Sequence, residues 1–423
     1  MLKRSVGSLV DQVLLSALNF GIAFALIQGI SKAEYGLYVQ LSLFGLLATS
    51  IADALLGNAF NILNNRATGE RPEHLLVNSY RLSWGIAAVS AVLGSGLSVW
   101  LTADWSSWAD RLTLALVYGV YLLVVVSREF KRVCFYLTDR WQQALLMDAT
   151  YAGCAVLLLG GMWWLHWLNV IHVFMALTVA SALAAMVTHR LHEASTPVQW
   201  TALRHLAQKS WSVSSWALPG VIVGWSINNA YLFVLSSLLG ASATAEVNAS
   251  KLAIMPLALS LIAWHQVSRA DISRLAQTGG RAEYQAFVRK AALLMYAPMV
   301  LYIPLFVLIY PWIEPVLASK GYSHMAALLI LWFVSAALAP CKFLGNAMLV
   351  GFEAFKPLFH LNLVSLATQT VGVYVMARFF DLPMVLLALI AADLIEIAVM
   401  WFVLLPRCAA NRAGHSGAHG ASG

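Results

Sequence analysis

Several charged and amide side chains stand inside stretches otherwise apolar enough to exclude them. Asp11, Gln12 and Asn19 lie in SVGSLVDQVLLSALNFGIAFALIQGI (5–30), Lys251 and Lys342 interrupt later apolar runs, and Asp393 and Glu396 sit three residues apart near the chain's end. An ionised group within a bilayer costs a few kcal/mol or more unless it faces protein or water, so each needs a partner. On a helix, Asp11, Gln12 and Asn19 fall along one stripe, which reads as a polar pathway or an ion-coupling position. Local pairing near the Lys3 and Arg4 end is the other reading of Asp11. Each ammonium calls for a cavity, a carboxylate or an anion such as a phosphate. For Lys251 the competing reading is a side chain snorkelling to the near interface, and for Lys342 it is pairing with Asp393 or Glu396. Those two carboxylates share a helical face, so they form either a salt bridge or a protonatable site. Asn228 and Asn229, beside Ser226, and Asn346 suit sugar hydroxyls, and equally suit hydrogen bonds between helices. Asp53, Asn58 and Asn61 are of the same kind, and Asp148, near the inner end of its run, reads as interfacial.

Nothing in the chain composes a catalytic set: there is no GxxxxGK[ST], no H-E-x-x-H and no G-x-S-x-G. The 11 histidines and four cysteines (Cys134, Cys154, Cys341, Cys408) have no metal-ligand or disulfide spacing. His189 and His192 sit among polar residues at the end of an apolar run and read as solvation. No enzyme, metal or cofactor is implied. The net charge of +7 comes from short basic segments between apolar runs, which report orientation and not a nucleic-acid partner.

These residues are positioned by membrane-spanning helices. Of the 423 residues 61% are hydrophobic and 11% charged, where soluble proteins carry about 25% charge. Mean hydropathy is +0.75. Runs of spanning length give twelve spans: about 6–30, 37–59, 82–101, 112–130, 143–164, 168–188, 212–239, 243–267, 291–310, 325–350, 358–378 and 382–405. An even number puts both termini on one side. Of the 26 lysines and arginines, Lys32, Arg111, Lys320 and Arg378 fall on the opposite side, Lys251 and Lys342 fall within spans, and all others share the side of the termini. That bias places both termini in the cytoplasm. Inter-span segments are too short for a soluble catalytic domain. Trp105, Trp108, Trp163, Trp164 and Trp167 at outer ends, and Trp141, Trp200 and Trp211 at inner ones, form aromatic belts.

The spans divide six and six: an N-lobe at 1–190, a cytoplasmic linker at 191–210, a C-lobe at 211–406 and a disordered tail at 407–423. Two halves of even span number enter the membrane alike, giving a parallel pseudo-repeat. Ser16 and Asn19 recur as Ser226 and Asn229. Intramembrane prolines (Pro219, Pro256, Pro298, Pro304, Pro340 and marginally Pro383) are confined to the second half, which is the better candidate for bending.

Four stretches resemble a known family. DQVLLSALNFGIAFALIQGISKAEYGLY (11–38) is similar to the opening of bacterial polysaccharide-biosynthesis flippases, the Wzx-like branch of the MOP superfamily that also holds MATE exporters and the lipid II flippase. REFKRVCFYLTDRWQQALLMD (128–148), LLGASATAEVNASKLAIMPLALSLIAWHQVSRADISRLA (238–276) and GFEAFKPLF (351–359) resemble later parts of that branch. The resemblance implies twelve helices in two lobes, a central cationic cavity, and alternating access of an undecaprenyl-pyrophosphate-linked oligosaccharide in the bacterial inner membrane, alongside other polysaccharide assembly proteins. It puts the family's first-span acidic position on Asp11 and its eighth-span basic position on Lys251. In that frame Lys251 and Lys342 meet the pyrophosphate, Asn228, Asn229 and Asn346 meet sugars, and Asp11 tunes or couples. The chain departs from the family in having few intramembrane cations in its first half. A MATE-like cation-coupled antiporter is the rival within the superfamily; a glycan polymerase or ligase is the rival of another class, and needs a large outer loop.

Overall fold

Apolar runs without internal turn residues fold as helices, and in hydrocarbon only helices or closed barrels satisfy the backbone. The computed structural model describes residues 2–65, 72–188, 200–278 and 281–408, and among them no strand occurs. The helices are α1 (Leu2–Gly29), α2 (Lys32–Ala52), α3 (Asn58–Asn65), α4 (Pro72–Leu101), α5 (Trp108–Leu137), α6 (Trp141–Trp164), α7 (Val170–Val187), α8 (Trp200–Ser214), α9 (Ala217–Leu239), α10 (Ala241–Lys251), α11 (Met255–Thr278), α12 (Arg281–Ala318), α13 (Met325–Gly351), α14 (Phe355–Phe379) and α15 (Met384–Val399). A π turn (Asp53–Gly57) joins α2 to α3, a 3-10 turn (Leu252–Ile254) joins α10 to α11, and a second π turn (Met400–Leu404) continues α15. Twelve spans are long and apolar enough to cross a membrane. The chain divides into two compact units, Met1–Trp225 and Ser226–Gly423.

In unit 1, α4 and α5 pack along most of their lengths. Gly94 permits the approach: a Cβ there would run into Leu122 and Tyr118 of α5 and Phe44 of α2. Small residues at such crossings let helices of a membrane protein gain dispersion contacts that lipid cannot supply. Ser95 Oγ donates to the Ala115 carbonyl at 2.7 Å, and Tyr118 Oη donates to the Leu41 carbonyl at 2.6 Å. Tyr118, Tyr121 and Phe174 stack around these bonds with centroids 5.0 to 5.9 Å apart. Helix starts are capped: Ser31 and Glu34 form a capping box before α2, and Asn169 Oδ1 accepts from the His172 amide at 2.8 Å before α7. The start of α9 is tied to α2 by Trp225 Nε1 donating to the Leu43 carbonyl at 3.0 Å.

Unit 2 has its core around Met295, Leu344, Met348 and Met400. Gly240, at φ +83, makes the left-handed turn from α9 into α10. The long helix α12 holds Pro298, Pro304, Pro311 and Pro315 and stays continuous. It runs past the expected end of its span at 310, so two further prolines join those read from the sequence. Its side chains Leu293, Val300, Leu301 and Trp312 are exposed, as are Val92 and Leu157 in unit 1; in a bilayer these are the lipid-facing positions.

The twelve expected spans all correspond to observed ones. Two boundaries differ in ways that matter. The fourth span, expected to end at 130, continues to Leu137, and residues 212–214 belong to α8 and not to the seventh span. Of the expected linker, 200–210 is the first part of α8, while 191–199 lies outside the described residues, as do His189, His192 and the tail from 409.

Candidate functional site

Among the described residues, two networks joining several buried charges lie within the candidate spans, one in each unit. In unit 1, α5 carries Arg128, Glu129, Arg132 and Tyr136, which the 3.6-residue repeat stacks toward one side. Arg132 Nη2 donates to Asp11 Oδ2 of α1 at 2.7 Å, and its Nε lies 2.5 Å from Asp148 Oδ2 of α6. Tyr136 Oη donates to the same Asp11 oxygen at 2.5 Å. Glu129 pairs with Arg128 and lies 3.6 Å from Arg132 Nη1, while the Arg128 guanidinium covers the Tyr151 ring at 3.8 Å. Asp11 and Asp148 are both fully buried. One Oδ1 on each has no hydrogen-bond partner among the described residues. Three carboxylates thus face two guanidiniums.

Unit 2 repeats the imbalance with different residues. Lys342 Nζ of α13 donates to Asp393 Oδ1 at 2.7 Å and lies 3.0 Å from Glu396 Oε2, both on α15. Ser365 Oγ of α14 donates to that Glu396 oxygen at 2.6 Å. Glu396 is 1% exposed, and its Oε1 has no partner among the described residues. Here two carboxylates face one ammonium. Desolvating each ion costs several kcal/mol, recovered only through such close pairing. Lys342 therefore cannot present its charge to a phosphate without leaving two acids exposed to one another.

Lys251 is different. Pro256 has no amide hydrogen and its ring crowds the preceding turn, so the helix tightens to 3-10 geometry just after Lys251. Met255 then donates to the Leu252 carbonyl that Pro256 cannot serve. Lys251 Nζ donates to the Asn228 carbonyl and to Tyr231 Oη, both at 3.3 Å. It stands 5.4 Å from the Tyr231 ring and 5.5 Å from the Trp332 ring. Among the described residues no carboxylate lies within ion-pair distance of it.

The sequence-derived candidates separate accordingly. Lys342, Asp393 and Glu396 come together, as the pairing alternative required. Lys251 meets Asn228, whose side is exposed, and the adjacent Asn229 is buried. Asn346 is half-buried on α13, one turn beyond Lys342. The expected stripe on α1 splits: Asp11 turns inward to α5 and α6, while Gln12 and Asn19 are exposed. Asp53, Asn58 and Asn61 are exposed too. Asp148, expected at the interface, is buried instead, because Arg132 holds it. Arg128, Glu129 and Arg132 were outside the candidates, since they were read as part of the basic segment at the inner end of a span expected to close at 130. So was Glu246, buried on α10, whose Oε1 accepts from the His324 amide at 2.5 Å and caps the start of α13. The readable signal was the apolar VCFYL after Arg132, which keeps the helix in the membrane.

No protein-family model matches the chain, and no curated protein matches it in sequence. In fold it is similar to an inward-facing multidrug resistance MATE family transporter of the MOP superfamily, with TM-score 0.70 and 15% identity over 94% of this chain and 96% of the other. The outward-facing form of such a transporter gives 0.64 and 14% identity over 97% and 95%. A MOP superfamily transporter from Pyrococcus furiosus, described by a binding pocket of reverse polarity that suggests a different function, gives 0.63 and 15% over 97% and 95%. The fold is that of MATE-like MOP transporters.

Proposed function

We propose that the chain is an alternating-access secondary transporter of the MATE-like, cation-coupled kind, moving a small polar or cationic solute. The observation that carries this reading is that carboxylates outnumber the cations they pair with in both buried networks: Asp11, Glu129 and Asp148 against Arg128 and Arg132, while the buried Lys131 of the same helix turns instead to the Ala185 and Thr188 carbonyls, and Asp393 and Glu396 against Lys342. A cavity built to hold a pyrophosphate would leave ammonium or guanidinium groups in excess, whereas a surplus acid needs a proton or a monovalent cation. Asp11 Oδ1, Asp148 Oδ1 and Glu396 Oε1, buried and without a hydrogen-bond partner among the described residues, are where a proton would restore balance. Likeness in fold to transporters seen both inward- and outward-facing supports alternating access. The expected setting is the bacterial inner membrane, which rests on the resemblance to the flippase branch, with both termini cytoplasmic, which rests on the basic-residue bias.

The test is ion-driven uptake in proteoliposomes. Glu396→Gln and Asp148→Asn should each cut gradient-driven accumulation by about tenfold or more while leaving solute exchange without a gradient largely intact, as expected when a coupling proton loses its site. If both variants still concentrate solute as wild type does, these carboxylates are not coupling groups.

A second reading is favoured by one residue. Lys251, with aromatic and carbonyl partners and, among the described residues, no carboxylate within ion-pair distance, is placed to meet the pyrophosphate of an undecaprenyl-linked oligosaccharide, with Asn228, Asn229 and Asn346 toward the sugars. On that reading Lys251→Ala abolishes translocation, and deletion of the gene leaves lipid-linked glycan on the cytoplasmic leaflet. Full translocation by Lys251→Ala would remove it.

A further inference from the structure

α8 is not among the helices that cross the membrane, and its two faces differ in kind. Leu203, Leu206, Ser210 and Ser214, at spacings of three, four and four, are buried, and the helix packs against α3 and α4. Beside that face, at spacings of four, three and four, run Trp200, Arg204, Ala207 and Trp211, all exposed. Trp200 is 79% and Trp211 61% exposed. An indole has an apolar body and one N–H donor, which suits the headgroup level of a bilayer better than water. From Trp200 to Trp225 the sequence has no Asp or Glu, while Arg204 and Lys209 supply positive charge. Arg204 has no ion pair among the described residues. Position agrees with composition: α8 packs on α3, which closes the second span, and on α4, which forms the third, as expected of a helix at the membrane surface.

We infer that the Trp200, Arg204, Ala207 and Trp211 face of α8 is a lipid-docking surface for an anionic leaflet, the indoles lying at the acyl boundary and Arg204 pairing with headgroup phosphate. Charge complementarity selects the leaflet: a basic residue near an anionic surface gains about 1 kcal/mol, close to fivefold in binding. A free phosphate would have no use for the two indoles.

Bromine near an indole quenches its fluorescence, and the signal lost on Trp200→Phe with Trp211→Phe isolates these two among the 16 tryptophans. The full chain is reconstituted in phosphatidylcholine vesicles with about 30 mol% phosphatidylglycerol, the bromine carried on one lipid or the other. The isolated signal is expected to fall by about half or more with brominated lipid, and further with brominated phosphatidylglycerol than with brominated phosphatidylcholine at equal mole fraction. Arg204→Glu should abolish that preference while the indoles stay quenched. An isolated signal indifferent to bromine, as when water or a protein partner covers the face, overturns the inference. So does equal quenching by the two lipids in the wild type.

Discussion

A buried ammonium stays charged only while its partners stay, and Lys342 has two. Lys342→Met should therefore destabilise the protein by about 3–5 kcal/mol by leaving Asp393 and Glu396 unpaired. Adding Asp393→Asn and Glu396→Gln should recover most of that loss, as measured by thermal unfolding of the purified protein. A recovery no better than the single variant would mean that packing, not charge, holds the site. Arg132 makes the sharper case, since one planar guanidinium serves both Asp11 and Asp148. Arg132→Lys keeps the charge but not the fork, and should cost about as much as losing one buried charged hydrogen bond, roughly 1.5–3 kcal/mol; an unfolding midpoint unchanged from wild type would deny the bridge. The unit 2 pair was legible only as one of two readings, because Asp393 and Glu396 share a helical face but Lys342 could equally have met a phosphate. The unit 1 network was not legible, because RxxxR at the edge of an apolar run looks like an interfacial basic segment until the helix is known to continue.

At the level of the helix, backbone chemistry decides where side chains point. Pro256 produces the 3-10 turn that follows Lys251, so Pro256→Ala should let an ordinary helix through and rotate Lys251 against Tyr231 and Trp332. The measurable consequence is a change in Trp332 emission together with altered transport; an unchanged spectrum would show that the turn is set by packing and not by proline. Gly94 is the corresponding position in unit 1. Gly94→Val should cost about 1–3 kcal/mol by forcing α4 away from α5, read as a lower unfolding midpoint. Helix identity and order followed from apolar run length, whereas helix ends did not. The π turn at Asp53–Gly57, the extension of α5 and the separation of α8 from α9 depend on tertiary partners that hydropathy does not register.

For the whole molecule, composition and apolar run length were enough to give a polytopic helical protein with twelve candidate spans, because helices satisfy their own backbone groups in hydrocarbon. Substrate class was not legible, since the same lysines read as anion-binding until their partners are known. On the proposed reading, pairing of Lys342 by two acids weighs against an anionic lipid-linked substrate and for a polar or cationic solute. The most direct measurement is uptake of a fluorescent organic cation by proteoliposomes under an imposed proton or sodium gradient, run beside translocation of a short-chain polyprenyl-pyrophosphate oligosaccharide. The account expects gradient-driven cation movement that Glu396→Gln uncouples, with no transfer of the glycolipid. Glycolipid transfer that Lys251→Ala abolishes, with no cation movement under either gradient, would contradict it.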